Sequence, residues 1–278
     1  MSAAVSIIAP PAQPFLKWPG GKRSLLPRIL AHVPLGFETY HEPFVGGGAL
    51  FFAIRAEWPK VQARINDANA RLVRTYAALK ANPEAVIRKL RLMRNEETFF
   101  YRTRAKRTKI DGQTDATLAA WMIYLNKTGY NGLYRENRKG EVNIPFGHRA
   151  NATILDAANL RAVSAALSGV AISSGDFEKA ARRAEPGDFV YFDPPYMPRT
   201  EKEFVAYRAG GFSRADQERL AKLARELKEQ GVSVLLSNSD TEEVRDLYAG
   251  FSFEEVQGRR SISRDGLGRA SAPDLLIW

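Results

Sequence analysis

Short apolar runs alternate with amphipathic stretches at both ends of the chain, and the alternation lapses in the middle. Behind Gly20-Gly21, Leu25, Leu26, Ile29 and Leu30 recur at helical spacing; Glu38 to Phe44 then reads as a strand, Ala49 to Glu57 as a helix and Val61 to Asn66 as a strand. That is a β-α-β opening. From Val170 onward the pattern resumes, with strands expected at Val170 to Ser173, Phe189 to Asp193 and Val232 to Ser237. Between the last two lies a helix: Ser213 and Asp216 have capping-box spacing, and Leu220, Leu223, Ala224 and Leu227 keep one face apolar. Phe251 to Val256 and Ala272 to Trp278, flanking Gly266 and Gly268, read as a hairpin that closes the sheet. The pattern predicts an α/β, Rossmann-like domain.

The stretch from Arg71 to Leu155 breaks the alternation and reads as an inserted module. It holds a helix expected at Ala116 to Leu125, then an Asn/Gly/aromatic-rich segment, Asn126 to Arg149, with a hairpin turn near Arg138-Lys139-Gly140. The boundaries that follow are 1–70 with 156–278 for the main domain and 71–155 for the insertion.

Composition narrows the function. At 278 residues, 45% hydrophobic and 26% charged, the chain can form one sizeable α/β core, and no apolar stretch reaches membrane-spanning length. Met1 to Pro14 lacks the basic start and apolar core of a signal peptide, so a cytoplasmic protein with a loose N-terminal tail is expected. A monomer is expected as well. Cysteine is absent and the three histidines, His32, His41 and His148, are far apart, so no metal site is expected. A net charge of +10 favours a polyanionic partner. The excess is concentrated between Arg88 and Lys109, where nine cations (Arg88, Lys89, Arg91, Arg94, Arg102, Arg104, Lys106, Arg107, Lys109) face only Glu96 and Glu97. Phosphate contact is the expected use of that run.

Two short motifs carry chemistry. Asp193-Pro194-Pro195-Tyr196 follows the apolar run Phe189 to Phe192. An exocyclic amino group on an aromatic base is a poor nucleophile because its lone pair is delocalised into the ring. Asp193 and the Pro194 carbonyl can accept its two N–H bonds, two prolines remove competing donors, and Tyr196 offers a face for stacking. Methyl transfer to an amino nitrogen is the chemistry this suggests. Val45-Gly46-Gly47-Gly48-Ala49 links a strand to a helix, with Asp67 ending the next strand about 20 residues on, where a carboxylate can hold ribose hydroxyls. Phe51 stands where a dinucleotide fingerprint needs its third glycine, so a nucleoside without pyrophosphate fits better. Asp176-Phe177 reads either as an adenine contact or as a helix cap with a core aromatic.

Taken together and in order, Phe15-Leu16-Lys17-Trp18-Pro19-Gly20-Gly21-Lys22, Glu42 to Gly48, Asn66-Asp67, Tyr130-Asn131-Gly132-Leu133-Tyr134-Arg135, Asn143 to Gly147 and Asp193 to Tyr196 resemble the Dam family of DNA adenine-N6 methyltransferases, alpha class. The resemblance also includes Ser237 to Asp240 and Arg259 to Ser263, and it is weakest between Leu79 and Ala119. It implies a Rossmann-like S-adenosylmethionine-dependent methyltransferase domain with an inserted helical and β-hairpin target-recognition module. By resemblance, Trp18, Lys22, Phe44, Gly46, Asp67, Asp176, Phe177 and Asp193 line the S-adenosylmethionine pocket. Asp193, Pro194, Pro195 and Tyr196 would act on an adenine flipped out of duplex DNA. Lys17, Tyr130, Asn131, Leu133, Arg135 and Pro145 would contact double-stranded DNA, with Arg135 reading a guanine edge within GATC. His148 and Arg149 depart from the family pattern, which leaves flanking discrimination open. Two alternatives remain: an RNA adenine-N6 methyltransferase, separable by comparing duplex DNA with RNA as substrate, and an inactive DNA-binding regulator, separable by a methyl-transfer assay.

Overall fold

The computed structural model describes residues 10–106, 113–132, 134, 136–137, 141–199, 212–257 and 273–278. The first elements are α1 (Leu26–Ala31), β1 (Thr39–Glu42), α2 (Ala49–Glu57) and β2 (Gln62–Asp67). Helices α3 (Ala70–Ala81), α4 (Pro83–Leu90), α5 (Glu97–Lys106), α6 (Asp115–Thr128) and α7 (Ala157–Ala166) follow. The remainder comprises β3 (Ala171–Ser174), α8 (Phe177–Ala181), β4 (Phe189–Phe192), α9 (Arg214–Glu229), β5 (Ser233–Ser239), α10 (Glu242–Leu247), β6 (Phe253–Val256) and β7 (Asp274–Ile277). Two compact units result: Met1–Gly21, Gly46–Pro59 and Ala70–Ser168 form one, and Lys22–Val45, Lys60–Asn69 and Gly169–Trp278 the other.

The second unit is built on a seven-stranded sheet of order β3-β2-β1-β4-β5-β7-β6. The pairings from β3 to β5 are parallel, and β7 lies antiparallel between β5 and β6. Every residue of β4, Phe-Val-Tyr-Phe, is buried, which is why its sequence is continuously apolar where a one-sided strand would alternate. Helix α9 starts at the anticipated capping box, with the Ser213 side chain and Asp216 satisfying each other's backbone N–H. Its apolar stripe, Leu220, Leu223, Ala224 and Leu227, joins Val190, Phe192, Val234, Leu236, Leu275 and Ile277 in one core. Burying each leucine contributes roughly 2 kcal/mol. All seven strands were anticipated, with ends moved by one or two residues; the β6–β7 pairing holds, while Gly266, Gly268 and Arg259 to Ser263 lie outside the described residues.

The first unit is helical. Helix α6 is apolar nearly all round, and Leu118, Ala119, Ala120 and Met122 through Leu125 are buried among its neighbours. It packs on α3, α4 and α5, and Thr114 caps it by accepting the Thr117 N–H. The basic run therefore divides between the end of α4, the turn after it and α5, instead of forming one helix face. Arg104 is engaged internally, donating to the Ile144 carbonyl at 2.7 Å, whereas Arg88, Lys89, Arg91, Arg94, Arg102 and Lys106 are exposed. Arg107 and Lys109 lie outside the described residues. After α6, antiparallel bridges join Gly129 to Phe146 and Glu136 to Val142, and the Asn137 N–H donates to the Glu141 carbonyl at 2.9 Å. These contacts bracket the anticipated turn, whose residues 138–140 are outside the described set.

Candidate active site

Strand order reverses between β1 and β4, which pair through Tyr40 with Phe189 and His41 with Val190. Crevices beyond the carboxyl ends of strands at such a reversal are where open α/β sheets bind ligands. Both chemistry-bearing motifs leave from those two ends: Pro43-Phe44-Val45 after β1, and Asp193 to Tyr196 after β4.

The Asp193 carboxylate is held by one oxygen. Lys22 Nζ lies 2.7 Å from Oδ1 and Ser237 Oγ donates to the same atom at 2.8 Å. Among the described residues no donor occupies Oδ2. Gln217 Nε2 donates to the Pro195 carbonyl at 2.8 Å, and the Met197 N–H donates to Asn238 Oδ1 at 3.0 Å, so the loop is tied on its far side. The Pro194 carbonyl takes no described donor. Among the described residues, one carboxylate oxygen of Asp193 and the Pro194 carbonyl are thus left without donors.

Electrostatics follow from burial. Burial pushes the Asp193 carboxyl above the usual carboxylate range, opposed but not offset by Lys22 and Ser237. Burial alone would depress Lys22, but the charge of Asp193, with Tyr196, outweighs it and leaves the ammonium firmly protonated. The Tyr196 phenol is pushed up to about 12 by burial, against the pull of Lys22, so it is neutral at physiological pH. Lys22 Nζ also stands 4.6 Å from the Tyr196 ring centroid. The buried Tyr196 hydroxyl makes no hydrogen bond of good geometry among the described residues, although Lys22 and Ser237 both act on its acidity.

The glycine turn has two positions that only glycine fills without strain. Gly46 has φ 47° and Gly48, the N-cap of α2, φ 71°. A Cβ at Gly46 would stand 2.8 Å from Trp18 Cδ1, and one at Gly48 2.7 Å from the Tyr76 hydroxyl, which itself donates to the Gly46 carbonyl. Trp18 stacks on Tyr134, centroids 6.3 Å apart and planes 16° off parallel. In the sheet unit, Asn66 Nδ2 ties Pro43 and Gly175 by donating to both carbonyls at 3.1 Å, so the loops after β1 and β3 are fixed to the end of β2. Asp67, half-buried, ends β2 and accepts the Asn69 N–H at 2.8 Å.

Asp176 caps α8, accepting from the Glu178 and Lys179 N–H groups, and pairs with Arg219. Phe177 is buried, stacked on Phe44 at 5.2 Å and 26°. The cap and core roles weighed from sequence are both present.

In the helical unit, the Lys17 backbone is clasped by Asn126, whose amide accepts the Lys17 N–H at 2.9 Å and donates to the Lys17 and Gly132 carbonyls. Tyr130 is 55% exposed and anchored by donating its N–H to the Pro145 carbonyl; Asn131 takes φ 54°. Leu133 and Arg135 lie outside the described residues. Arg149 donates to the Lys127 carbonyl and His148 packs edge-on against Phe146, so both departures from the family pattern serve local structure here. Ser237, Gln217 and Arg219 were given no role from sequence. The signal for Ser237 is a polar residue inside an apolar strand; for Gln217, a polar residue on the apolar side of α9.

This seven-stranded α/β architecture is consistent with a methyltransferase fold. Residues 18–262 match the family model described as D12 class N6 adenine-specific DNA methyltransferase. The chain is 38% identical over 272 residues to the Type II methyltransferase M1.LlaDCHI of Lactococcus lactis subsp. cremoris, covering 95% of this chain and 94% of that one. It is 38% identical over 271 residues to the Type II methyltransferase M.MjaIII of Methanocaldococcus jannaschii, covering 91% and 94%. It is 34% identical over 268 residues to a DNA adenine methylase of Vibrio cholerae, again covering 94% of each. The chain belongs to the D12 class of N6 adenine-specific DNA methyltransferases, and is an enzyme of that class.

Proposed function

We propose that this enzyme transfers the methyl group of S-adenosylmethionine to the N6 amino group of an adenine flipped out of double-stranded DNA, within GATC. The observation that carries the reading is the acceptor pair after β4: Asp193 anchored through Oδ1 by Lys22 and Ser237, with the Pro194 carbonyl taking no donor among the described residues. The two acceptors draw the amino N–H groups into one plane on the acceptor side and release the nitrogen lone pair toward the opposite side. Tyr196 stacks on the purine, and its neutral hydroxyl adds no charge to the site. S-adenosylmethionine supplies the electrophilic methyl; Gly46, Asp67, Phe44, Asp176, Phe177, Trp18 and Lys22 are the residues assigned to hold it. No covalent enzyme intermediate is needed, so positioning and electrostatics supply the rate.

The inserted residues 71–155 act as the target-recognition module, with 1–70 and 156–278 as the catalytic domain. Lys17, Tyr130, Asn131, Leu133, Arg135 and Pro145 form the base-reading set, and the exposed cations of α4 and α5 contact phosphates. Exposure of Tyr130 on a rigidly clasped turn supports its role as a wedge where the flipped base left its stack. The reading includes a cytoplasmic monomer. A second reading concerns biology: the two Type II methyltransferase relatives favour a modification enzyme paired with a restriction endonuclease.

The test is Asp193→Ala in a labelled methyl-transfer assay on duplex DNA and on RNA. Transfer to DNA should fall at least about a thousandfold with DNA binding retained. Near-normal turnover in the variant, or faster transfer to RNA by the unaltered enzyme, would refute the assignment.

A further inference from the structure

We infer that Arg219 is a positioning residue of the cofactor pocket: it fixes the Asp176 carboxylate so that one lone pair of Oδ2 remains for the 6-amino group of the cofactor's adenine. The inference rests on the reading of Asp176 and Phe177 as adenine contacts. A carboxylate has about four lone-pair directions. Oδ1 of Asp176 is saturated, accepting the N–H groups of Glu178 at 3.0 Å and Lys179 at 3.3 Å and Arg219 Nη2 at 3.1 Å. Among the described residues Oδ2 accepts only Arg219 Nη2, at 2.9 Å, which leaves one acceptor direction.

Arg219 is itself pinned. Its Nη1 donates to Asp216 Oδ1 at 2.8 Å, and Nε and Nη2 donate to Glu178 Oε2 at 3.1 and 2.9 Å. Asp216 is in turn locked by the capping box with Ser213. The guanidinium carbon lies 5.0 Å from the Phe177 ring centroid, and Phe177 stacks on Phe44. One planar cation thus sets both the rotamer of the carboxylate and the tilt of the aromatic pair next to it. A lysine, with a single point charge, cannot span these partners in one plane.

The experiment measures equilibrium binding of S-adenosylhomocysteine and of an analogue with hydrogen in place of the 6-amino group. The proteins are the unaltered enzyme, Arg219→Lys, Arg219→Gln and Asp176→Asn, each checked by thermal melting. The unaltered enzyme should prefer the amino form. Both Arg219 variants should lose about tenfold for the amino form, the loss of one well-made hydrogen bond, and little for the analogue. In steady state they should raise KM for S-adenosylmethionine about tenfold and change kcat by less than about twofold. If the unaltered enzyme and Asp176→Asn bind both ligands alike, the adenine reading of Asp176 fails, and this inference with it. If Asp176→Asn loses the preference but the Arg219 variants keep it, or lose both ligands equally, the adenine reading survives and the role of Arg219 is overturned.

Discussion

Replacing Lys22 with methionine should move the acid limb of methyl transfer to higher pH, because Lys22 is the cation that keeps Asp193 ionised. The two groups are 2.7 Å apart, with side chains 9% and 18% exposed. At an effective dielectric of about 20, charges at that separation attract by about 6 kcal/mol before desolvation is subtracted. Removing one partner of such a pair typically costs about 3–5 kcal/mol, which the variant can limit only by protonating Asp193. Burial already pushes this carboxyl up, and Lys22 is the largest influence pulling it down. A protonated Asp193 no longer serves as an anionic acceptor for the amino group, so kcat measured under single turnover should reach its plateau only at higher pH in Lys22→Met. Stability should respond with the opposite sign. A carboxyl whose folded value lies above its unfolded one stabilises most below the unfolded value, and that contribution fades as pH rises through the folded one. Lys22→Met should therefore lose melting temperature relative to the unaltered enzyme as pH rises above the usual carboxylate range. The plateau rate should also drop about tenfold or more, since Oδ1 loses its anchor and Tyr196 its cation. An unchanged acid limb with only a raised KM for S-adenosylmethionine would refute the reasoning and leave Lys22 as a cofactor ligand alone.

Other expectations follow from single contacts. Gly48→Ala should cost about 1–3 kcal/mol in urea unfolding and weaken S-adenosylhomocysteine binding, because a side chain there meets both φ 71° and the Tyr76 hydroxyl at 2.7 Å; an unchanged midpoint would contradict the strain argument. Gln217→Leu, nearly isosteric, removes the donor to the Pro195 carbonyl and the acceptor of the Asn238 amide that holds the Met197 N–H, and should reduce kcat about tenfold while sparing KM for the cofactor, as steady-state kinetics would read. Full kcat in that variant would mean that the loop after β4 holds itself.

The sheet was legible because its strands obey two rules at once: buried parallel strands such as Phe189 to Phe192 are continuously apolar, and the turns between elements carry Gly, Pro or a capping pair. Ser213 with Asp216 marked the start of α9 to the residue. Strand order was not legible, since pairing of β1 with β4 is set by packing across some 150 residues. Most helices of the first unit were missed for a related reason. Helix α5, Glu97–Lys106, shows only Phe100 and Thr103 buried, too weak a period for sequence to register. At the site, Asp193 and the glycines stood out because their residue types are rare and their spacing tight. Ser237, Gln217 and Arg219 reach Asp193, Pro195 and Asp176 from 22 to 44 residues away by side-chain bonds, which no local pattern encodes.

The most direct measurement is to expose unmethylated genomic DNA to the purified protein with S-adenosylmethionine and to map N6-methyladenine at single-base resolution. The account requires methylation at the adenine of GATC on both strands, with none produced by Asp193→Ala. Methyl groups on cytosine, on adenines outside GATC, or on no base at all would contradict it.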